Sequence, residues 1–436
     1  MKRFLRGLLL IVVLIVCLAI WAFLPWYGAV IAAALLALWL FSTRGGRRTL
    51  SVTGVGIATL PSRWGASSVI VIGIAGVVGV LVALLAMGEG FQATLKGTGS
   101  DDTVMVMRAG SQAELNSVID HDSTVLIQQA PGVAKDAQGH PIASPELVVV
   151  ASLPKKSNGL DANVEIRGVG DQAWALRPNV KIIAGRKFKQ GLRELDVGKG
   201  AAQQFTHTDI GSTITLNNQV WNVVGEFDSG DALDSEMWGD ADVVASTYRR
   251  GSSRTSVTAK LDDAKSFDKF KTALSTDPRV KVDVKTTRAY YTDQSANLSK
   301  LIKILGTTIA VIMAIGALFG ALNSMYAAVS TRSREIATLR ALGFSGSPVV
   351  VSVMLETMLL AFAGGVLGAL LAWVIFNHYT VSTLGANFSQ IVFQFKVSPA
   401  LLWTGLKWAL AIGFIGGLFP AVRAASLPVT TALREL

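Results

Sequence analysis

The sequence predicts an α-helical integral membrane protein, with four core spans and an N-terminal hydrophobic hairpin, that carries a large mixed α/β extracytoplasmic domain. Three observations predict it. Hydrophobic residues make up 51% of the 436 residues and charged residues only 16%, with a mean hydropathy of +0.46, outside the range of ordinary soluble chains. The apolar runs at 67–88, 299–329, 348–378 and 401–420 are read as spans, since a bilayer takes roughly 20 apolar residues in a helix. Between the first two, residues 89–298 have balanced charge, turn signals and alternating polarity.

The formal charge of +10 raises the question of nucleic acid, and its location answers it. Residues 1–87 hold seven Lys or Arg and no Asp or Glu, whereas 90–298 hold 24 basic and 26 acidic residues. The excess belongs to the membrane segments and their short loops, where it sets orientation. No nucleic-acid partner is expected. The single Cys17 lies in an apolar run and permits no internal disulfide.

Taken in order, Lys2, Arg3 and Arg6 precede an apolar run from Gly7 to Leu24. A cleaved signal is disfavoured, because Val16 stands before Cys17 where a small residue is wanted and the apolar character continues past it. A hairpin over 1–48 fits better. Its arms are Gly7–Leu24 and Ala29–Phe41, its turn Pro25–Gly28, with Trp26 and Tyr27 at the interface and Arg44, Arg47 and Arg48 marking the cytoplasmic side. Both arms are short, so a shallow re-entrant or tilted hairpin fits the same lengths. Residues 49–66 read as an interfacial helix. In the first span Gly73, Gly76 and Gly79 leave one face nearly bare, which suits close helix approach, although Gly is common in membrane helices anyway.

In the extracytoplasmic domain, Thr103–Met107, Val148–Ser152 and Val280–Val284 read as strands and Asp262–Thr276 as an amphipathic helix with Phe267, Phe270 and Leu274 inward. The insertion at 146–248 is strand-rich, and Asn217-Asn218-Gln219 is a hairpin turn signal because Asn tolerates positive φ. Chemistry is sparse. His121, His140, His207 and His378 have no ligand spacing, and no metal site is expected. The acidic residues Asp228, Asp231, Asp234, Glu236, Asp240 and Asp242 lack the spacing of a calcium loop and read as a mobile solvated loop. There is no phosphate-binding or nucleophile-elbow motif. No catalytic residue is expected.

The second span, 299–329, carries Gly316 and Gly320 as G-x-x-x-G with Asn323 near its inner end, a pattern for packing against a second copy or within its own bundle. The third, 348–378, holds Glu356, which must be neutral or paired at that depth and has only Lys407 as a basic residue within a span. Lys407 can snorkel outward from the fourth, 401–420. An outer loop at 379–400 and a tail at 421–436 complete the chain. Between the second and third spans, in the loop 330–347, Arg332, Arg334 and Arg340 interleave with Ile336, Leu339 and Leu342, which recur every third residue as a narrow apolar stripe. These arginines place the loop in the cytoplasm.

That loop resembles the coupling-helix region of MacB/FtsX-type ABC transporter permeases, whose R-x-R-E-I-x-x-L-R-A-L-G pattern is matched from Arg332 to Gly343, with Glu335 as its acidic member. Further matches are Gly88–Phe91 at the end of the first core span, the ordered series Ala184–Phe188, Val197–Gln204, Asp209–Leu216 and Val220–Phe227, and the C-terminal pattern from Pro420 to Arg434. The resemblance covers about residues 50–436. It implies a standalone permease subunit in the bacterial inner membrane that works by mechanotransmission. Arg332, Arg334, Glu335, Ile336, Leu339, Arg340, Leu342 and Gly343 would dock a separate cytoplasmic ABC ATPase holding ATP and Mg. The first two spans would form the interface of a homodimer or heterodimer, and a periplasmic adaptor or carrier would be a further partner. The substrate would be a lipid, lipoprotein, peptide or antibiotic. A signalling scaffold that activates an envelope partner, and an ATP-independent membrane anchor, are the competing readings.

Overall fold

The computed structural model describes residues 20, 21, 24–58, 60–331, 333–341 and 345–426. They divide into a helical unit, within Met1–Met87, Ile302–His378 and Lys396–Leu436, and a sheet unit, Gly88–Leu301 with Tyr379–Phe395. The long or membrane-associated helices among the described residues are α1 (Trp26–Ser42), α2 (Arg44–Ala58), α3 (Trp64–Thr98), α4 (Thr287–Thr331), α5 (Ser333–Ala341), α6 (Gly346–Phe376) and α7 (Pro399–Ser426). Among the described residues, α3 from Ser67, α4, α6 and α7 are long and apolar enough to cross a membrane.

Two of these helices outrun the spans read from hydropathy. Helix α3 continues past Glu89 to Thr98 because Phe91 and Leu95, one turn apart, still face a core and are buried. Helix α4 begins at Thr287, well before residue 299, and its first turns bury Tyr290, Tyr291 and Ser295. Amphipathic helix simply extends the apolar run. The expected interfacial helix starts at Arg44 and ends at Ala58, and a 3-10 turn, Pro61–Arg63, leads into α3. Helix α1 buries no residue and meets α2 at a bend of 98°. Helix α2 packs on α6 and buries Thr49, Val52 and Thr53. Of the first arm of the expected hairpin, all but Ile20, Trp21 and Leu24 lies outside the described residues.

Glycine lets α3, α6 and α7 approach closely. A Cβ on Gly365 would lie 2.7 Å from the Ala409 Cβ, one on Gly364 2.8 Å from the Val71 carbonyl oxygen, and one on Gly405 2.8 Å from the Val82 Cγ2. Gly368 lies tighter still against the backbone of Ala75. Where lipid offers no hydrophobic drive, this backbone approach supplies the packing contacts. The glycines singled out in α3 and α4 are more open. Gly73 faces the Ala317 Cβ at 4.0 Å and Gly79 the Gly368 oxygen at 3.6 Å, and nothing described lies within 4 Å of a Cβ on Gly76, Gly316 or Gly320. Asn323 is exposed.

The sheet unit contains β1 (Thr103–Arg108), β2 (Ala143–Pro154), β3 (Asp161–Val169), β4 (Lys181–Gly185), β5 (Glu194–Gly198), β6 (Thr213–Leu216), β7 (Gln219–Asp228), β8 (Glu236–Asp240), β9 (Ser256–Lys260) and β10 (Val282–Thr286). Their order is β10-β1-β9-β2-β3-β8-β5-β7-β4, with β6 also on β7. Strand β2 belongs to two lobes: Ala143–Glu146 pairs with β9, and Leu147–Pro154 pairs with β3. The first lobe closes over Val104, Ile127, Val257 and Phe270, the second over Val149, Ile166, Phe205 and Trp221. The β6–β7 turn has two residues, Asn217 and Asn218, both at positive φ, since Leu216 pairs directly with Gln219. The loop read at 379–400 contains a hairpin of β11 (Thr380–Leu384) and β12 (Gln390–Gln394), which belongs to the sheet unit.

Gly368→Leu forces a branched side chain onto the Ala75 backbone. Its expected outcome is a large fall in thermal midpoint of the detergent-purified chain, whereas Gly45→Ala, where a Cβ meets open space, leaves the midpoint unchanged.

Candidate functional site

The helix α5 stands alone between α4 and α6, the two helices it follows and precedes. Ile336 and Ala337 are buried within the chain, Arg340 is half-buried, and Thr338 and Ala341 are exposed. Part of the apolar stripe is thus turned toward this chain's own interior. Arg332, Leu342 and Gly343 lie outside the described residues, as do the side chains of Arg334, Glu335 and Leu339.

Glu356 is buried in α6, ten residues or about 15 Å from the start of that helix. It is paired, and its partner comes from outside the spans read from hydropathy. Arg63, from the turn between α2 and α3, donates from Nη2 to the Glu356 Oε1 at 3.0 Å. Arg63 and Glu356 also border a cavity of about 180 Å³ with Ser67, Ser324 and Thr331. A carboxylate that hydropathy placed among apolar residues is held by an arginine whose segment looked interfacial. Ion pairing of this kind is how a charge persists at such depth.

The largest concentration of charge in the sheet unit was not anticipated. Arg167 on β3 is 1% exposed and surrounded by carboxylates. Its Nε and Nη2 donate to Glu236 on β8 at 2.7 and 2.9 Å, and its Nη1 and Nη2 to Glu114 at 2.8 and 3.0 Å. Nη1 also donates to Glu146 on β2 at 3.0 Å and Nη2 to Glu165 on β3 at 2.8 Å. Arg177 adds a second guanidinium, donating to both oxygens of Glu146 at 2.6 and 2.8 Å. Trp238 Nε1 and Ser256 Oγ donate to Glu236 and Glu114. Glu146 is the residue at which β2 passes from one lobe to the other, so the cluster sits at the joint.

Two guanidiniums face four buried carboxylates. Burial, then the neighbouring Glu236, pushes Glu165 up to about 8, against the pull of Arg167. Glu146 is instead held below the usual range by Arg177 and Arg167, which outweigh its burial. Glu165 also accepts from Asn387 Nδ2 and Ser389 Oγ, both at 3.1 Å, and so ties the β11–β12 hairpin to the cluster. The acidic run read as a mobile solvated loop is therefore folded. Glu236 binds Arg167, Asp240 caps the helix Ala241–Thr247, and Asp231 is 5% exposed and pushed up to about 6 by burial.

The MacB-like periplasmic core domain family matches residues 67–277, and the FtsX-like permease C-terminal family matches residues 307–429. The macrolide export ATP-binding/permease protein MacB of Photorhabdus laumondii is 27% identical over 310 residues, covering 67% of this chain and 46% of its own length. The MacB of Bordetella avium is 25% identical over 398 residues, covering 84% of this chain and 57% of its own. The chain thus spans about half the length of these curated relatives. The uncharacterized ABC transporter permease YknZ of Bacillus subtilis is 25% identical over 377 residues, covering 82% of this chain and 92% of YknZ.

Arg167→Ala leaves carboxylates buried without their counter-charge, a change that costs about 3–5 kcal/mol. Urea unfolding followed by tryptophan fluorescence should show that loss, with little effect from Arg193→Ala at the surface. The raised Glu165 gives a pH signature. The folded state holds this proton more tightly than the unfolded state, whose carboxylate titrates near 4.5, so its contribution is full below about 4.5 and is lost as pH rises to about 8. Thermal midpoints measured from pH 5 to 8 should decline, and Glu165→Gln should flatten that decline.

Proposed function

Because this chain is a MacB/FtsX-type ABC transporter permease, we propose that it is a non-catalytic subunit of the bacterial inner membrane that carries the motion of a separate ATPase to its sheet unit. The observation that bears most weight is α5, a nine-residue helix set between two helices long enough to span the membrane. Its Arg332–Gly343 motif meets the cytoplasmic ABC ATPase, which holds ATP and Mg. With Ile336 and Ala337 turned inward, the docking contact falls to the arginines, Glu335, Leu339 and Leu342, while the buried side keeps α5 fixed to the spans it must move.

The helical unit suits transmission. Glycine-mediated packing of α3, α6 and α7 makes a tight block, and the Arg63–Glu356 pair fastens the segment before α3 into α6. Rocking of such a block moves helices as rigid rods and needs no hydrophilic pathway through the bilayer. The open faces of Gly76, Gly316 and Gly320, together with exposed Ile312, Ile315 and Phe319 on α4, support a dimer with a second permease through α3 and α4. The sheet unit, outside the cytoplasm, then works on a lipid, lipoprotein, peptide or antibiotic, with a periplasmic adaptor or carrier as a further partner.

Leu339→Asp should abolish co-purification of the ATPase in mild detergent while the chain still inserts and dimerises. Undiminished recruitment would remove α5 as the docking element.

A further inference from the structure

The first lobe of the sheet unit has an apolar face and a polar one. On β9, Val257 and Ala259 belong to the core of that lobe. Thr258 and Lys260 therefore project from the opposite face, about 7 Å apart along the strand. Beside them on β1, Met105 pairs with Thr258 and Thr103 with Lys260, so these four residues share one side of the sheet. A cavity of about 200 Å³ lies on this side. Residues 175–179 border it, as do Gly97 and Thr98 at the end of α3 and Thr287 and Tyr291 at the start of α4.

The polar groups of the cavity fall into two sets. Ser100, Thr103 and Thr287 satisfy one another. The Thr287 hydroxyl accepts from the Ser100 N–H at 2.9 Å, lies 2.6 Å from the Thr103 hydroxyl and donates to the Ser100 carbonyl oxygen at 3.0 Å. The second set is left over. Thr258 is 3% exposed, and its Oγ1 has no hydrogen-bond partner among the described residues. Lys260 is half-buried and makes no ion pair among them. A buried hydroxyl without a partner carries a desolvation cost that a bound acceptor would remove. An ammonium stands next to it on the same strand face, so that acceptor is favoured as an anion.

We propose that this cavity is a binding site for a small monocarboxylate with a short apolar tail. The carboxylate takes the Lys260 ammonium and the Thr258 hydroxyl, and the tail lies against Met105, Leu176 and Pro178, which line the same space. Asp102 sets the charge. Its carboxylate also lines the cavity and accepts from Ser100 Oγ, so a dianion such as phosphate meets a repulsion that a single negative charge largely escapes. The site lies wholly within the sheet unit and requires no ATPase.

The test uses the full detergent-purified chain, with butyrate as the probe, its uncharged analogue butyramide and inorganic phosphate as comparisons, and titration calorimetry at constant ionic strength as the readout. Butyrate should bind saturably, and butyramide and phosphate at least tenfold more weakly. Lys260→Gln should weaken butyrate at least tenfold, and Lys260→Arg should keep it within threefold. Thr258→Val should weaken butyrate at least fivefold without lowering the thermal midpoint of the unliganded chain, because it removes a hydroxyl that has no partner there. Absence of saturable butyrate binding, equal binding of butyramide or phosphate, or unchanged affinity in Lys260→Gln would overturn the proposal. Loss of ATPase docking in Leu339→Asp leaves these outcomes untouched, so the two readings fail separately.

Discussion

Arg167 occupies the one position from which a single guanidinium reaches carboxylates on three strands and a 3-10 turn. Everything else in the sheet unit is arranged around that requirement. The first lobe contributes Glu114 and Ser256, the second contributes Glu165 and Glu236, and β2 supplies Glu146 where it crosses between them. Two apolar cores that do not share residues are thereby joined by polar contacts at the joint. A buried network of this sort is weak as a source of stability, because desolvation offsets much of the attraction, but it is strict about geometry. It admits one relative setting of the lobes, since any slip leaves charge buried without a partner.

The helical unit meets the opposite constraint with the opposite chemistry. Its packing comes from the close backbone approach that glycines allow along α6 and α7, and the buried Arg63–Glu356 ion pair fastens a peripheral turn to α6. Both units are thus stiff, one through charge and the other through backbone proximity. In the proposed transmission role that stiffness matters, because a compliant element would absorb the displacement.

Much of the architecture was legible in the sequence. Hydropathy located the four long apolar helices, and alternation located β1, β2 and the helix around Phe270. The loop that resembles the coupling region of permeases contains the short helix α5. What escaped did so for physical reasons. On β3, Glu165 and Arg167 alternate with Val164 and Ile166, the pattern of a half-solvated strand, and only pairing with β8 and the cover from Glu114 make that polar face interior. Arg63 looked like an interfacial charge because its partner lies 293 residues away in sequence. The acidic run looked solvated because its hydrogen-bond partners, from Asn179 to Arg167, are distant in sequence. The ends of α3 and α4 were cut short because a hydropathy window stops at the first charges, although the helical spacing of Phe91 and Leu95 continues beyond them.

The β11–β12 hairpin gives the chain a definite order of assembly. Glu165 receives Asn387 and Ser389, and Phe91 packs edge-on against Phe393 at 5.4 Å. These partners leave the ribosome only after α6 has been made. Until the hairpin has been synthesised, the Glu165 carboxyl lacks two of its donors. Completion of the joint around Arg167 is thereby tied to the making of α6, and a chain cut short at that helix lacks both of the donors that the hairpin brings to Glu165.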